Sequence, residues 1–234
     1  VLFRSADWQG ALSLTGPLLF PASGPFGLRA EGVPASGNGS MKGVNAQATG
    51  TLSFDTRRGA LNVDNAKGQF DMKGATGRFS GSARGSQLDK SPVWEAALSC
   101  STDNLRALLA HWDLLPSGLS PRMPGQARAE AKVRLDDNAV TISELEGSVD
   151  ATRFSGRIER LKGTPPRWNA DLRLGALNLS DYLPSSKGNT SSGGPWNVNR
   201  LKSLDLEGQL KAERLTVARI PHENLSAPIT IRDG

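Results

Sequence analysis

The chain has 234 residues, 37% hydrophobic and 6% aromatic, with 26 glycines and 14 prolines; about one residue in six is therefore Gly or Pro, against a usual ~12%. No apolar stretch approaches the ~18 to 20 residues of a membrane-crossing helix, and a single cysteine, Cys100, excludes an internal disulfide and a cysteine-built metal site. The net charge of +5 is mixed in sign. Its most basic region (Arg153, Arg157, Arg160, Lys162, Arg167, Arg173) is interleaved with Asp150, Glu159 and Asp171, which fits a solvated strand face and not nucleic-acid binding.

In chain order, Pro21–Gly43 is rich in Gly, Ser and Pro and reads as a loop. Its run Gly37-Asn38-Gly39-Ser40-Met41-Lys42-Gly43 misses a dinucleotide fingerprint by one residue and lacks the strand–helix context. Thr56-Arg57-Arg58-Gly59, Asp64-Asn65 and Asp136-Asp137-Asn138 carry turn chemistry. Between such signals the dominant pattern is period 2. Ala127, Ala129, Ala131, Val133 and Leu135 alternate with Arg128, Glu130, Lys132, Arg134 and Asp136; Leu204, Leu206, Gly208, Leu210 and Ala212 alternate with Asp205, Glu207, Gln209, Lys211 and Glu213. Leu225, Ala227, Ile229 and Ile231 continue the device. Strands this two-sided belong to antiparallel sheets with one dry and one wet face.

An internal repeat runs through the chain. Arg78-Phe79-Ser80-Gly81 recurs as Arg153-Phe154-Ser155-Gly156, 75 residues on, and each copy is followed by P-x-W-x-A-x-L: Pro92, Trp94, Ala96, Leu98, then Pro166, Trp168, Ala170, Leu172. A looser copy starts at Trp8. Each full copy runs into a helical segment, Asp103–Leu114 after the capping residues Ser101 and Thr102, and Leu179–Leu183 closed by Pro184. Leu105, Leu108, Leu109 and Trp112 form one apolar stripe on the first. Repeated sheet units that cannot each close a core are expected to stack. The fold expected is therefore mostly β: an elongated, curved antiparallel sheet of repeated meander units, β-groove-like, with one or two short helices. Four segments result: residues 1–90, a β-rich part; 91–184, the strand–helix unit; 185–195, a low-complexity linker; and 196–234, amphipathic strands cut short at Asp233-Gly234, a dipeptide that opens hairpins. The sequence begins at Val1 with no targeting segment, and because it stops where a hairpin should turn back it reads as part of a longer protein.

Catalytic chemistry is absent from the pattern. His111 lies off its helix stripe, His222 follows Pro221 in an expected turn, and neither has a ligand partner at metal-binding spacing. Asp136-Asp137 reads as a hairpin turn, and Cys100 as a buried thiol in apolar surroundings. No catalytic residue, metal or cofactor is expected. What remains are the dry faces, where Trp94, Leu98, Trp168, Leu172, Leu204, Leu206, Leu210, Ile229 and Ile231 stand out. Periodicity leaves two readings open: a closed sandwich core, or an apolar face left open as a groove for acyl chains.

Asp171-Leu172-Arg173-Leu174-Gly175-Ala176-Leu177-Asn178-Leu179-Ser180-Asp181-Tyr182-Leu183-Pro184 resembles the "DL–LG-L-L-DYLP" segment of the AsmA family of bacterial envelope proteins. Leu201–Leu210, Leu215-Thr216-Val217, Glu223-Asn224-Leu225 and Asp233-Gly234 are similar to the strands that follow it in that family. The resemblance covers residues 153–234 well, extends weakly to about Ser91, and leaves the first 90 residues matched only in β character. It implies a non-enzymatic periplasmic protein held in the inner membrane by an N-terminal helix that this sequence lacks. The function implied is outer-membrane biogenesis, with phospholipid acyl chains as partners and no nucleic acid. A structural or protein-binding β-domain with a closed core, influencing the assembly or targeting of membrane proteins, is the alternative.

Overall fold

In a computed structural model, the structure describes residues 2–4, 8–14, 29–41, 43–112, 115, 120, 124–182, 205–217 and 219–232. The chain divides into two compact units, the first formed by residues up to Thr102 together with Lys132–Asp137, the second by Asp103–Ala131 and the residues from Asn138 onward. Both are β-rich meanders, and two short helices complete the described elements. The expected linker Ser185–Pro195 lies outside the described residues, as do Leu204 and Asp233-Gly234.

In the first unit β1 (Leu2–Arg4), β2 (Trp8–Leu14), β3 (Arg29–Met41), β4 (Val44–Asp55), β5 (Ala60–Met72), β6 (Ala75–Ser86) and β7 (Val93–Thr102) pair antiparallel, each with the next. Short loops make this possible. Gly74 (φ 88°) takes the left-handed position of the two-residue Lys73-Gly74 connection. In the Thr56–Gly59 turn the Asp55 carboxylate accepts the amides of Arg57 and Arg58 at 3.0 and 3.2 Å.

Two expectations fail here. The stretch expected as a loop, Pro21–Gly43, contains the 13-residue strand β3, hydrogen-bonded on one side to β2 and on the other to β4. Backbone ladders on both sides hold it, so its Gly and Ser residues need little side-chain packing of their own. Asp64-Asn65 is not a turn but a bulge inside β5, where the register with β6 shifts between Val63 and Ala66 and Asn65 adopts φ 53°.

The second unit opens with α1 (Leu105–His111), shorter than expected. Ser101 and Thr102 end β7, and the cap is Asn104, whose Oδ1 accepts the Ala107 amide at 3.0 Å. Then come β8 (Ala127–Leu135), whose first five residues belong to this unit, β9 (Ala139–Val149), β10 (Thr152–Leu161), β11 (Arg167–Asn178), α2 (Leu179–Tyr182), β12 (Asp205–Val217) and β13 (Ile220–Ile231). The β9–β10–β11 meander and the β12–β13 hairpin are antiparallel, but β11 and β12 run parallel over residues 167–178 and 205–216. A tight turn cannot join parallel neighbours, and the chain here passes through α2 and more than twenty further residues. His222, expected in a turn, sits inside β13 opposite Leu215.

Candidate functional site

Register decides which side chains share a face, because directly paired residues point the same way. In the second unit the level rows run Ile158–Ala170–Gly208–Ile229, Gly156–Leu172–Leu210–Ala227 and Phe154–Leu174–Ala212–Leu225, with Trp168–Leu206–Ile231 above them. Ile142, Leu145 and Gly147 of β9 extend the face through their pairing with β10. The residues one step along each strand (Ser155, Arg173, Lys211, Ser226) fill the opposite face. At ~3.3 Å per residue and ~4.8 Å per strand, the apolar band measures about 20 by 19 Å, the size class of the largest patches on soluble monomers, which are often functional.

Its rims are charged. The Arg160 guanidinium lies 5.7 Å from the centre of the Trp168 ring at one end, and Arg214 pairs with Glu223 at 2.9 Å at the other.

The first unit builds the same kind of face. Trp94, Ala96, Leu98 and Cys100 of β7 stand level with Gly85, Ala83, Gly81 and Phe79 of β6, and behind these come Phe70, Ala66, Val63 and Leu61 of β5. Glycine has a clear use here. Phe70 faces Gly77 while Gly68 faces Phe79, and a Cβ on either glycine would run into the opposing ring. A Cβ on Gly85 would come 2.8 Å from Trp94, and one on Gly147 2.6 Å from Phe154. These rings lie over cross-strand glycines, so at these four positions glycine is the complement of an aromatic.

The repeat occupies equivalent positions in the two units. In hairpins β6–β7 and β10–β11 the motif glycine (Gly81, Gly156) faces the last leucine of W-x-A-x-L (Leu98, Leu172), and the residue two further on (Ala83, Ile158) faces its alanine (Ala96, Ala170).

Of the predicted residues, Trp94 and Leu98 share the first face, and Trp168, Leu172, Leu206, Leu210, Ile229 and Ile231 share the second. Leu98 is 45% exposed and the other seven are half-buried. Among the described residues the buried apolar side chains are Val33, Met72, Ala75, Pro124 and Ala212, and no large one is fully buried. Cys100, expected buried, is exposed, because it stands on this face opposite Phe79. Alternation in the sequence does not single out Phe70, Phe79, Ile142, Leu145, Phe154 and Ile158. Cross-strand register brings them in, and the R-F-S-G repeat was the sequence signal for the two phenylalanines it contains.

A polar cluster ties one end of the second unit. Asp150, at φ 53° in the β9–β10 turn, accepts the amides of Gly125 (3.1 Å) and Gln126 (3.0 Å), and the Tyr182 hydroxyl points at it from 3.5 Å. Buried Thr152 donates to the Ala176 carbonyl at 3.2 Å, and the Ser120 amide donates to the Tyr182 carbonyl at 2.6 Å.

Burial raises the Tyr182 pKa above 10.0. A hydrogen bond with Thr152 opposes this in part, and the Asp150 charge adds to the rise. A phenol whose folded pKa is raised contributes stability that is fully present below pH 10 and is lost as pH climbs through the folded value. Thermal midpoints between pH 9 and 12 should therefore fall more steeply for this protein than for Tyr182→Phe. Equal slopes would reject the assignment. As Tyr182 is the only tyrosine, phenolate absorbance reports it directly.

No group of three or more His, Cys, Asp or Glu among the described residues is placed to hold a metal, and no described helix is long and apolar enough to cross a membrane. His111 is exposed and packs edge-on against Trp112 at 5.6 Å. Compared with known proteins, the chain matches no family model, no curated protein and no solved structure.

Proposed function

We propose that the chain handles lipid, holding phospholipid acyl chains against its apolar faces, as a non-enzymatic part of an envelope protein of the AsmA type acting in the periplasm. The observation that carries this reading is the continuous band from Ile142 to Ile231, with large side chains left half-buried between charged rims. A one-sided face covers about half of an acyl chain's surface. For a ~16-carbon chain at ~0.8 kcal/mol per CH2 that is about 6 kcal/mol before ordering costs, which gives weak, sliding contact. Weak contact along a face suits transfer better than storage, and headgroups stay in water beside cations such as Arg160.

Delipidated protein incubated with phosphatidylethanolamine and phosphatidylglycerol vesicles, then separated from them, should carry lipid detectable by mass spectrometry. A fluorophore on exposed Cys100, the only cysteine, should shift to the blue as chains cover the first face. Leu172→Glu and Leu210→Glu, each placing a carboxylate in the middle of the second face, should cut bound lipid about tenfold or more. Protein that takes up no lipid, or both variants behaving as the parent, would reject the reading in favour of a protein-binding or structural domain.

A further inference from the structure

The first residue of the R-F-S-G repeat points away from the apolar faces. In the first unit Arg78 lines an open groove of about 600 Å³ with Lys67, Asn38, Gln47, Gln69 and Thr49; hydroxyls and amides complete its polar lining, which holds no carboxylate. In the second unit Arg153 lines a groove of about 690 Å³ with Arg173 and Lys211, together with Glu146 and Glu213. Both volumes fall in the range of small-molecule sites.

Other arginines of the chain, among them Arg58, Arg128, Arg134, Arg157, Arg167 and Arg232, each meet a carboxylate. Among the described residues Lys67, Arg78, Arg153, Arg173 and Lys211 form no ion pair. Arg173 and Lys211 even stand directly level on β11 and β12, a like-charge juxtaposition that disfavours the sheet unless an anion sits between them. The floor of the second groove is open at one glycine. Gly175 has no atom nearer than 3.7 Å to where a Cβ would sit, yet carries no side chain.

We propose that the two R-F-S-G arginines, Arg78 and Arg153, each anchor a groove that binds a phosphate carried on a hydroxyl-bearing group. The cations hold the phosphate, and the amides and hydroxyls of the first groove, or Glu146 and Glu213 of the second, receive the hydroxyls. The inference does not depend on the apolar faces, which lie on the other side of each sheet.

The test is titration of the full chain with inorganic phosphate and with glycerol 3-phosphate, and flotation with phosphatidylglycerol-containing vesicles against pure phosphatidylcholine. Saturable binding is expected, weakened about tenfold or more at one groove by Arg78→Gln and at the other by Arg153→Gln. Gly175→Leu, whose Cβ would meet no atom nearer than 3.7 Å and whose side chain would project into the second groove, should weaken binding there about tenfold or more, with folding verified by circular dichroism. Arg157→Gln, outside both grooves, should change nothing. Binding of the free esters identifies a soluble phosphorylated ligand. Binding only to phosphatidylglycerol vesicles, with the same pattern across variants, identifies a lipid headgroup. No binding to any probe, or equal loss in Arg157→Gln, overturns the proposal.

Discussion

Gly208→Val is expected to destabilise the second unit by about 3 kcal/mol, whereas Gly175→Val changes its stability by less than about 0.5 kcal/mol. Both glycines lie in neighbouring strands of one sheet, and on propensity alone valine should favour either strand by up to ~1 kcal/mol. Their surroundings differ. A Cβ on Gly208 would press on the Ala170 carbonyl, with the Ala170 backbone nitrogen at 3.0 Å, and these are backbone atoms that cannot rotate away. Relief requires β12 to move off β11 along their parallel pairing, and overpacking of this kind costs ~1 to 3 kcal/mol or more. At Gly175 the nearest atom is the Arg153 Cβ at 3.7 Å, an ordinary contact. Urea midpoints of the two variants measure the contrast. Coincident midpoints would mean that β11 and β12 do not approach as described, and that glycine is used in this sheet for flexibility and not for closeness.

That contrast bears on how far the sequence could be read. Clean alternation exposed Ala127–Leu135 and the strand after Leu204, because each face there is chemically pure. β3 was hidden because small and polar residues alternate in it, Ala35, Gly37 and Gly39 against Ser36, Asn38 and Ser40. Such a strand owes its existence to two neighbours' ladders, which no local pattern encodes. The parallel β11–β12 pairing was equally illegible, since Trp168–Leu174 and Leu206–Ala212 look the same whichever way their neighbours run. The members of the candidate faces were legible wherever large apolar side chains alternate. What alternation could not give was their grouping, since cross-strand register alone sets Leu172 beside Leu210 and Trp168 beside Leu206 and Ile231. Cys100 was misread for a related reason: apolar neighbours in sequence predict burial only if the face they form is covered.

Asp150→Ala is expected to cost the second unit about 2 to 3 kcal/mol, the larger part from the carboxylate. Its oxygens accept the Gly125 and Gln126 amides, its own amide donates to the Gln126 carbonyl at 2.8 Å, and Tyr182 leans on it from α2. Hydrogen bonds to a charged acceptor contribute ~1.5 to 3 kcal/mol when partly buried. A smaller part comes from the backbone, because φ 53° suits Asp, Asn or Gly far better than Ala. Asp150→Gly separates the two contributions. Urea unfolding should place it close to Asp150→Ala if the carboxylate dominates, and close to the parent if conformation does, an outcome that would overturn the assignment. Asp150→Asn keeps one oxygen acceptor and tolerates the conformation, so a loss of about 1 kcal/mol is expected. It also removes the negative charge beside Tyr182, so the phenol should titrate at lower pH than in the parent while remaining above its ordinary value, because burial, the larger cause, is unchanged. An unmoved phenolate titration would show that Asp150 and Tyr182 are neighbours without being coupled, and that the Gly125-Gln126 segment before β8 is fastened to this turn by the amide bonds alone.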